Sequence, residues 1–181
     1  MLNWIIKFIT AAVLSHAFFL WVGPHIVMSK LDKNLKRAQT EYRPECGERW
    51  VEGVFYVNPD CLSESARKPN PDFIYTLIPY DLKKGNLIVS APVPSDDRYW
   101  SIHAHNRNTD AFYKITNTEI DGDYFKFLVT RDRNLNPELP VAYASSNKGL
   151  ILFRLAMKNF NEYSILDEFR RSTNRKYVEN L

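Results

Sequence analysis

A chain of 181 residues with 45% hydrophobic and 25% charged side chains has the apolar area for one folded domain and is not a disordered chain. With 24 Lys plus Arg against 21 Asp plus Glu, its net charge of +3 excludes a dedicated nucleic-acid binder, which carries a basic face or stripe. Two cysteines exclude a disulfide-dense miniprotein and a four-cysteine zinc site.

Residues 4–28 are almost wholly apolar, with Lys7, His16 and His25 as the only ionisable side chains. About 20 such residues in a helix cross a hydrocarbon core of about 30 Å, so residues 4–22 suffice. Trp4 and Trp21 stand near the two ends, where amphipathic rings favour the membrane interface, and Lys7 is close enough to one end to snorkel. Gly23-Pro24 is expected to punctuate the helix. A cleaved signal peptide, cut after Ala17, is the competing reading, but it would leave the apolar run 18–22 as a new N-terminus. The balance favours an uncleaved membrane anchor.

Orientation rests on opposed signals. Lys30, Lys33, Lys36 and Arg37 would mark a cytoplasmic flank under the positive-inside rule, whereas Lys7 and the α-amino group form a short basic start like that of a signal-anchor. Cys46 and Cys61 would be bridged if the domain is periplasmic, stabilising it by about 3 kcal/mol in the chain-entropy picture, and free if it is cytoplasmic. The expectation is a periplasmic domain.

Residues 29–50 read as a short polar helix and a linker, broken at Pro44. Strands are expected at 73–78, 87–91, 98–105, 111–116, 124–129, 141–144 and 150–155, from their β-branched and aromatic content. The turns between them fall at 83–86, 95–97 and Asp121-Gly122, the last a hairpin signal, while 131–140 is the longest polar loop. The short connections suggest a meander within a sandwich or barrel. Ile165, Leu166 and Phe169 recur at helical spacing with Glu168, Arg170 and Arg171 opposite, which predicts a C-terminal amphipathic helix. The expected organisation is an anchor over 1–28, a linker and short helix over 29–50, a β-domain over 51–160 and a C-terminal helix over 161–181.

Within the strand region stand Arg67, Pro69-Asn70-Pro71-Asp72, Tyr75, Tyr80-Asp81-Leu82, Gly85, Ala91-Pro92-Val93-Pro94, Tyr99-Trp100-Ser101 and Asn108-Thr109-Asp110. In this combination, and with a Gly-Leu-X-Leu-X-Arg ending at Arg154, residues 51–157 resemble the bacterial domain of unknown function 1254 family. The resemblance implies a mainly β, jelly-roll-like domain. It also implies a companion, because the family often occurs beside a second domain of unknown function, numbered 1214, on the same or a neighbouring chain. This chain reads as a short form lacking that domain. No activity and no catalytic residues come with the family.

Two chemistries are weighed from the residues themselves. His103 and His105 are two apart on a strand, hence on one face, and could meet one metal with a carboxylate such as Asp110. The family carries Ser- or Tyr-type residues there, and a solvated strand face is the plainer reading. Arg67, Asn70, Asp72, Tyr75, Asn108, Asp110 and Arg154 would line a ligand pocket if the strand ends converge; otherwise Asn70-Pro71-Asp72 and Asn108-Thr109-Asp110 are Asx turns. Arg154, inside an apolar strand, needs a partner, expected in Asp72 or Asp110. Nucleophile elbow, P-loop, dinucleotide fingerprint and His-Glu-X-X-His patterns are missing from the sequence. The expectation is a non-enzymatic, cofactor-free binding or assembly module, held in the bilayer through residues 4–28. A small-molecule or metal-dependent enzyme of the envelope is the rival.

Overall fold

The computed structural model describes residues 2–40, 49–57, 70–120 and 122–179. Cys46, Cys61 and Arg67 lie outside the described residues.

Helix α1 runs unbroken over Leu2–Thr40. Pro24 lies inside it and does not end it, so the expected break at Gly23-Pro24 does not form and the expected polar helix is continuous with the apolar one; Pro44 lies outside the described residues. Proline removes one amide donor, its ring presses on the preceding turn, and the helix runs through it although Val22, Gly23, His25 and Ile26 are middling or poor helix formers. The first half is apolar, has no protein cover and is long enough to cross a membrane. The second half is amphipathic. Met28, Leu31 and Leu35 share one face, and that face packs on the β-domain.

Two sheets follow. Strands β1 (Arg49–Val51), β2 (Val54–Val57), β3 (Phe73–Asp81), β5 (Trp100–Asn106), β6 (Ala111–Thr116) and β9 (Lys148–Ala156) form one, in the order β1-β2-β3-β9-β5-β6. Strands β4 (Asn86–Pro92), β7 (Tyr124–Thr130), β8 (Val141–Tyr143) and β10 (Asn174–Val178) form the other, in the order β10-β4-β7-β8. The domain is mainly β and sandwich-like, as expected. Each long strand alternates. In β3, Ile74, Thr76, Ile78 and Tyr80 point inward and Phe73, Tyr75, Leu77 and Pro79 outward. The inner faces meet through Trp100, Ile102, Ile151 and Phe153 on one side and Leu87, Val89, Phe125 and Phe127 on the other.

The meander is not what forms. The turns at 83–86 and 95–97 carry the chain from one sheet to the other, because each sheet must cover the apolar face of the other. Likewise Gly122, at φ +121°, joins β6 to β7 across the sandwich and makes no hairpin between them; Asp121 lies outside the described residues. The polar loop 131–140 allows β7 and β8 to pair in parallel.

The expected C-terminal helix forms but is short. Helix α2 spans Tyr163–Arg170, and β10 then pairs with β4. The expected face of α2 is partly reversed. Ile165 is 72% exposed, while Arg170 is fully buried. Its guanidinium donates to Asp167 Oδ1 at 2.6 and 2.9 Å, to the Val57 carbonyl at 2.9 Å and to the Tyr75 carbonyl. It also lies 5.6 Å from the centre of the Tyr56 ring. Arg171 takes the other oxygen of Asp167, and the Tyr56 hydroxyl donates to the Thr173 carbonyl at 3.1 Å. Burial pushes that phenol up to about 12, so it stays a donor at any physiological pH. The hub ties α2 to the end of the β2–β3 ladder.

Candidate functional site

The outer face of the six-stranded sheet is divided between two surfaces. The docked half of α1 covers Phe55, Val57, Leu77 and Leu150. Beside it lies an open patch built from facing residues of β3, β9 and β5. Tyr75 pairs with Arg154, Arg154 with Ser101, and Leu152 with His103. Arg154 Nε donates to Ser101 Oγ at 3.1 Å, its Nη2 lies 3.3 Å from His103 Nε2, and the guanidinium covers the Phe73 ring at 5.8 Å. Asp72 and Asp110 are not its partners, contrary to expectation. A hydroxyl, an imidazole and a ring face hold a half-exposed guanidinium without a carboxylate, because its remaining charge reaches water.

A guanidinium can only donate, so His103 Nε2 accepts and the ring is neutral, with its proton on Nδ1. Burial first, then Arg154, His105 and Lys114, hold its pKa below the ordinary histidine value. His105 lies on the same face, with ring centres 6.0 Å apart, and its Nδ1 is 3.0 Å from the Thr109 carbonyl. Among the described residues, no group of three or more His, Cys, Asp or Glu side chains is placed to hold a metal ion. The nitrogen of His103 that faces Arg154 already has a donor. The histidine pair therefore reads most simply as part of a polar sheet face.

The sign of the pH effect follows. The unfolded chain protonates His103 near pH 6.5, whereas the folded chain protonates it only at lower pH. Stability from this group is therefore complete above about pH 6.5 and is lost as pH falls through the folded-state midpoint. The Hε1 resonance of His103 should titrate below its unfolded-state value, and Arg154→Met should move the midpoint up. An unmoved midpoint in that variant would refute the pairing.

The other expected ligand residues split between two ends of the sheet. Asn70 Oδ1 accepts from the Asp72 amide at 2.9 Å, an Asx turn, and the Tyr75 hydroxyl caps it by accepting from the Asn70 amide at 3.2 Å. Asn108 and Asp110 form a second Asx turn between β5 and β6, bonded side chain to side chain, with Thr109 at φ +71°. From Ser101, beside Arg154, to the far end of β5 is about 17 Å of strand, so Asp72 and Asp110 do not share one pocket.

A concavity lies elsewhere. A cleft of about 480 Å³ opens where the docked half of α1 meets the edge of the domain, and none of the expected ligand residues that are described lines it. Six cations reach it, Lys33, Lys36, Lys84, Arg107, Lys148 and Arg175, against Asp32 and Asp81. Lys36 pairs with Asp32 at 2.8 Å and Lys148 with Asp81 at 3.4 Å. Arg175 donates to the carbonyls of Glu52 and Pro79 and stacks 5.7 Å from the Tyr177 ring. It has room because residue 53 is glycine: a Cβ there would collide with the guanidinium, and φ is +83°. Burial lowers its pKa, the mark of a shielded charge. Sequence reading missed the cleft because its walls come from six separated segments. The one local signal was the basic run at residues 30–37.

Fold and surface together define a two-sheet β-domain carried on a long N-terminal apolar helix, with a basic cleft where the two meet. The family model described as "Protein of unknown function (DUF1254)" matches residues 54–175, and the chain belongs to that family. No curated protein matches it. Among solved structures it is similar to the VPA0106 protein of Vibrio parahaemolyticus, at 15% identity and a TM-score of 0.55. That match covers 89% of this chain but 39% of the other, so this chain spans well under half of that protein's length. An uncharacterised protein from Burkholderia cenocepacia matches at 12% identity and a TM-score of 0.46, over 64% of this chain and 32% of its own.

Proposed function

We propose that this protein is a single-pass, membrane-anchored binding module that holds its β-domain against the bilayer and pairs there with a companion membrane protein. One observation supports it above the rest. Helix α1 is continuous from an uncovered apolar half to a half that packs on the sheet, so the domain cannot swing freely on its anchor. A fixed orientation suits a module that must meet a partner in the same membrane. The companion is a protein of the 1214 family, which the family resemblance supports.

The inner membrane of a bacterium is the site of this reading, with the domain on the periplasmic side. The basic run at 30–37 argues less for a cytoplasmic flank than the sequence suggested, since Lys33 and Lys36 line the cleft and Lys36 pairs with Asp32. Affinity purification of the full chain from detergent extracts at native expression should enrich a small membrane protein of the companion family. Recovery of the chain alone would overturn the pairing. Alkaline phosphatase fused after Leu181 should be active on a periplasmic domain, and an inactive fusion would place the domain inside. The second reading, a ligand-binding or enzymatic domain of the envelope, is favoured by the cleft.

A further inference from the structure

We infer that the cleft between α1 and the β-domain is a binding site for a phosphate group, carried by an anionic lipid headgroup or by a free phosphorylated molecule. The lipid source rests on the membrane reading above; the free source does not.

Charge accounting comes first. Both carboxylates that line the cleft are taken, Asp32 by Lys36 and Asp81 by Lys148. Lys33, Lys84, Arg107 and Arg175 then face it with no carboxylate partner among the described residues. Four cations around one concavity repel one another unless an anion joins them, and a multiply charged oxyanion balances them better than a single carboxylate. Arg175 is the most telling of the four. Two backbone carbonyls, taken by Nε and Nη1, and the Tyr177 ring fix its plane, so the guanidinium lining the cleft is held in place before any ligand arrives. Trp50 lines the same cleft, and its indole N–H is buried with no acceptor among the described residues. The Trp50 indole and the ammonium groups of Lys33 and Lys84 thus have no carboxylate or carbonyl acceptor among the described residues.

Size and place agree with the charge. A volume of about 480 Å³ lies within the usual range for small-molecule sites and exceeds what one phosphate needs, leaving room for the group that bears it. Met28 and Ser29 form one lip. They stand about 10 Å along the helix axis beyond Trp21, the ring near the end of the residues 4–22 that suffice to cross. With the apolar half in a bilayer, that lip lies at headgroup depth.

The test uses the full chain in neutral detergent and in phosphatidylcholine nanodiscs. Probes are inorganic phosphate, glycerol 3-phosphate, and nanodiscs in which part of the lipid is phosphatidylglycerol. Calorimetry follows the soluble probes and native mass spectrometry the retained lipid. The key variant is Lys84→Gln with Arg107→Gln, because both side chains are exposed and have no ion-pair partner among the described residues, and their loss leaves the fold intact. The control is Lys114→Gln with Lys126→Gln, exposed cations remote from the cleft. Each cleft cation contributes about fivefold, so the cleft variant should bind about 30-fold more weakly while the control is unchanged. Retained phosphatidylglycerol with no response to the soluble probes assigns a lipid headgroup; saturable glycerol 3-phosphate binding assigns a free phosphorylated molecule. Equal binding by wild type and cleft variant, or no binding of any probe, overturns the inference. The soluble probes report on the cleft even if the chain proves not to be a membrane protein.

Discussion

Replacing Arg170 with Ala should cost about 3–5 kcal/mol and lower the melting temperature by about 10 °C. The size follows from what the guanidinium satisfies. Removing it strands the carbonyls of Val57 and Tyr75, leaves Asp167 with Arg171 alone and empties the space under the Tyr56 ring. Each orphaned buried acceptor costs about 1–3 kcal/mol, and a buried carboxylate that loses a partner costs more. Arg170→Met fills the volume without the bonds and should recover only part of the loss. Arg171→Ala, which exposes its site to water, should cost far less. Thermal unfolding of the full chain, followed by near-ultraviolet circular dichroism, separates the three. A melting point for Arg170→Ala within a degree or two of wild type would show that the hub does not hold α2 to the sheet.

The second large effect concerns the clamp between helix and domain. Leu35 is 6% exposed and packs with Phe55, Val57 and Leu150. Leu35→Ala should weaken docking by about 2–5 kcal/mol, and Leu35→Asp by more, since it buries a charge without a partner. The effect should be local. Amide exchange in residues 28–37 should quicken about 30-fold or more, while β4 and β7 keep their protection, because they lie in the other sheet. Unchanged exchange over 28–37 in Leu35→Asp would mean that the helix and domain are not docked in solution.

These effects also show where sequence reading succeeds and where it stops. The strands from β3 to β9 were legible because alternation is local: burial at every second residue of β3 is written in its apolar pattern. Their order was not, because pairing β3 with β9 joins segments some seventy residues apart, and a turn residue specifies a bend without specifying the sheet that follows. β10 escaped notice because Asn174, Arg175 and Lys176 read as surface, though the strand gains its hydrogen bonds from β4. Arg170 was placed on the wrong side of α2 because a charge counts as outward in any helical wheel. Only the structure supplies the carbonyls that let it be buried. The histidine pair and both Asx turns were found at their positions, yet strand geometry sets the two turns at opposite ends of β5. The cleft shows the limit most clearly: no residue in it is unusual by itself, and its charge exists only after folding.

Both the fixed orientation of the domain and the headgroup depth of the cleft depend on the apolar half of α1 lying in a bilayer. Alkaline carbonate extraction of membranes from cells expressing the full chain tests this most directly. An integral anchor predicts that the protein stays in the membrane pellet at high pH, and that Leu14→Arg combined with Phe18→Arg, which places charges at mid-span, releases it. Recovery of the unaltered chain in the carbonate supernatant would contradict the account.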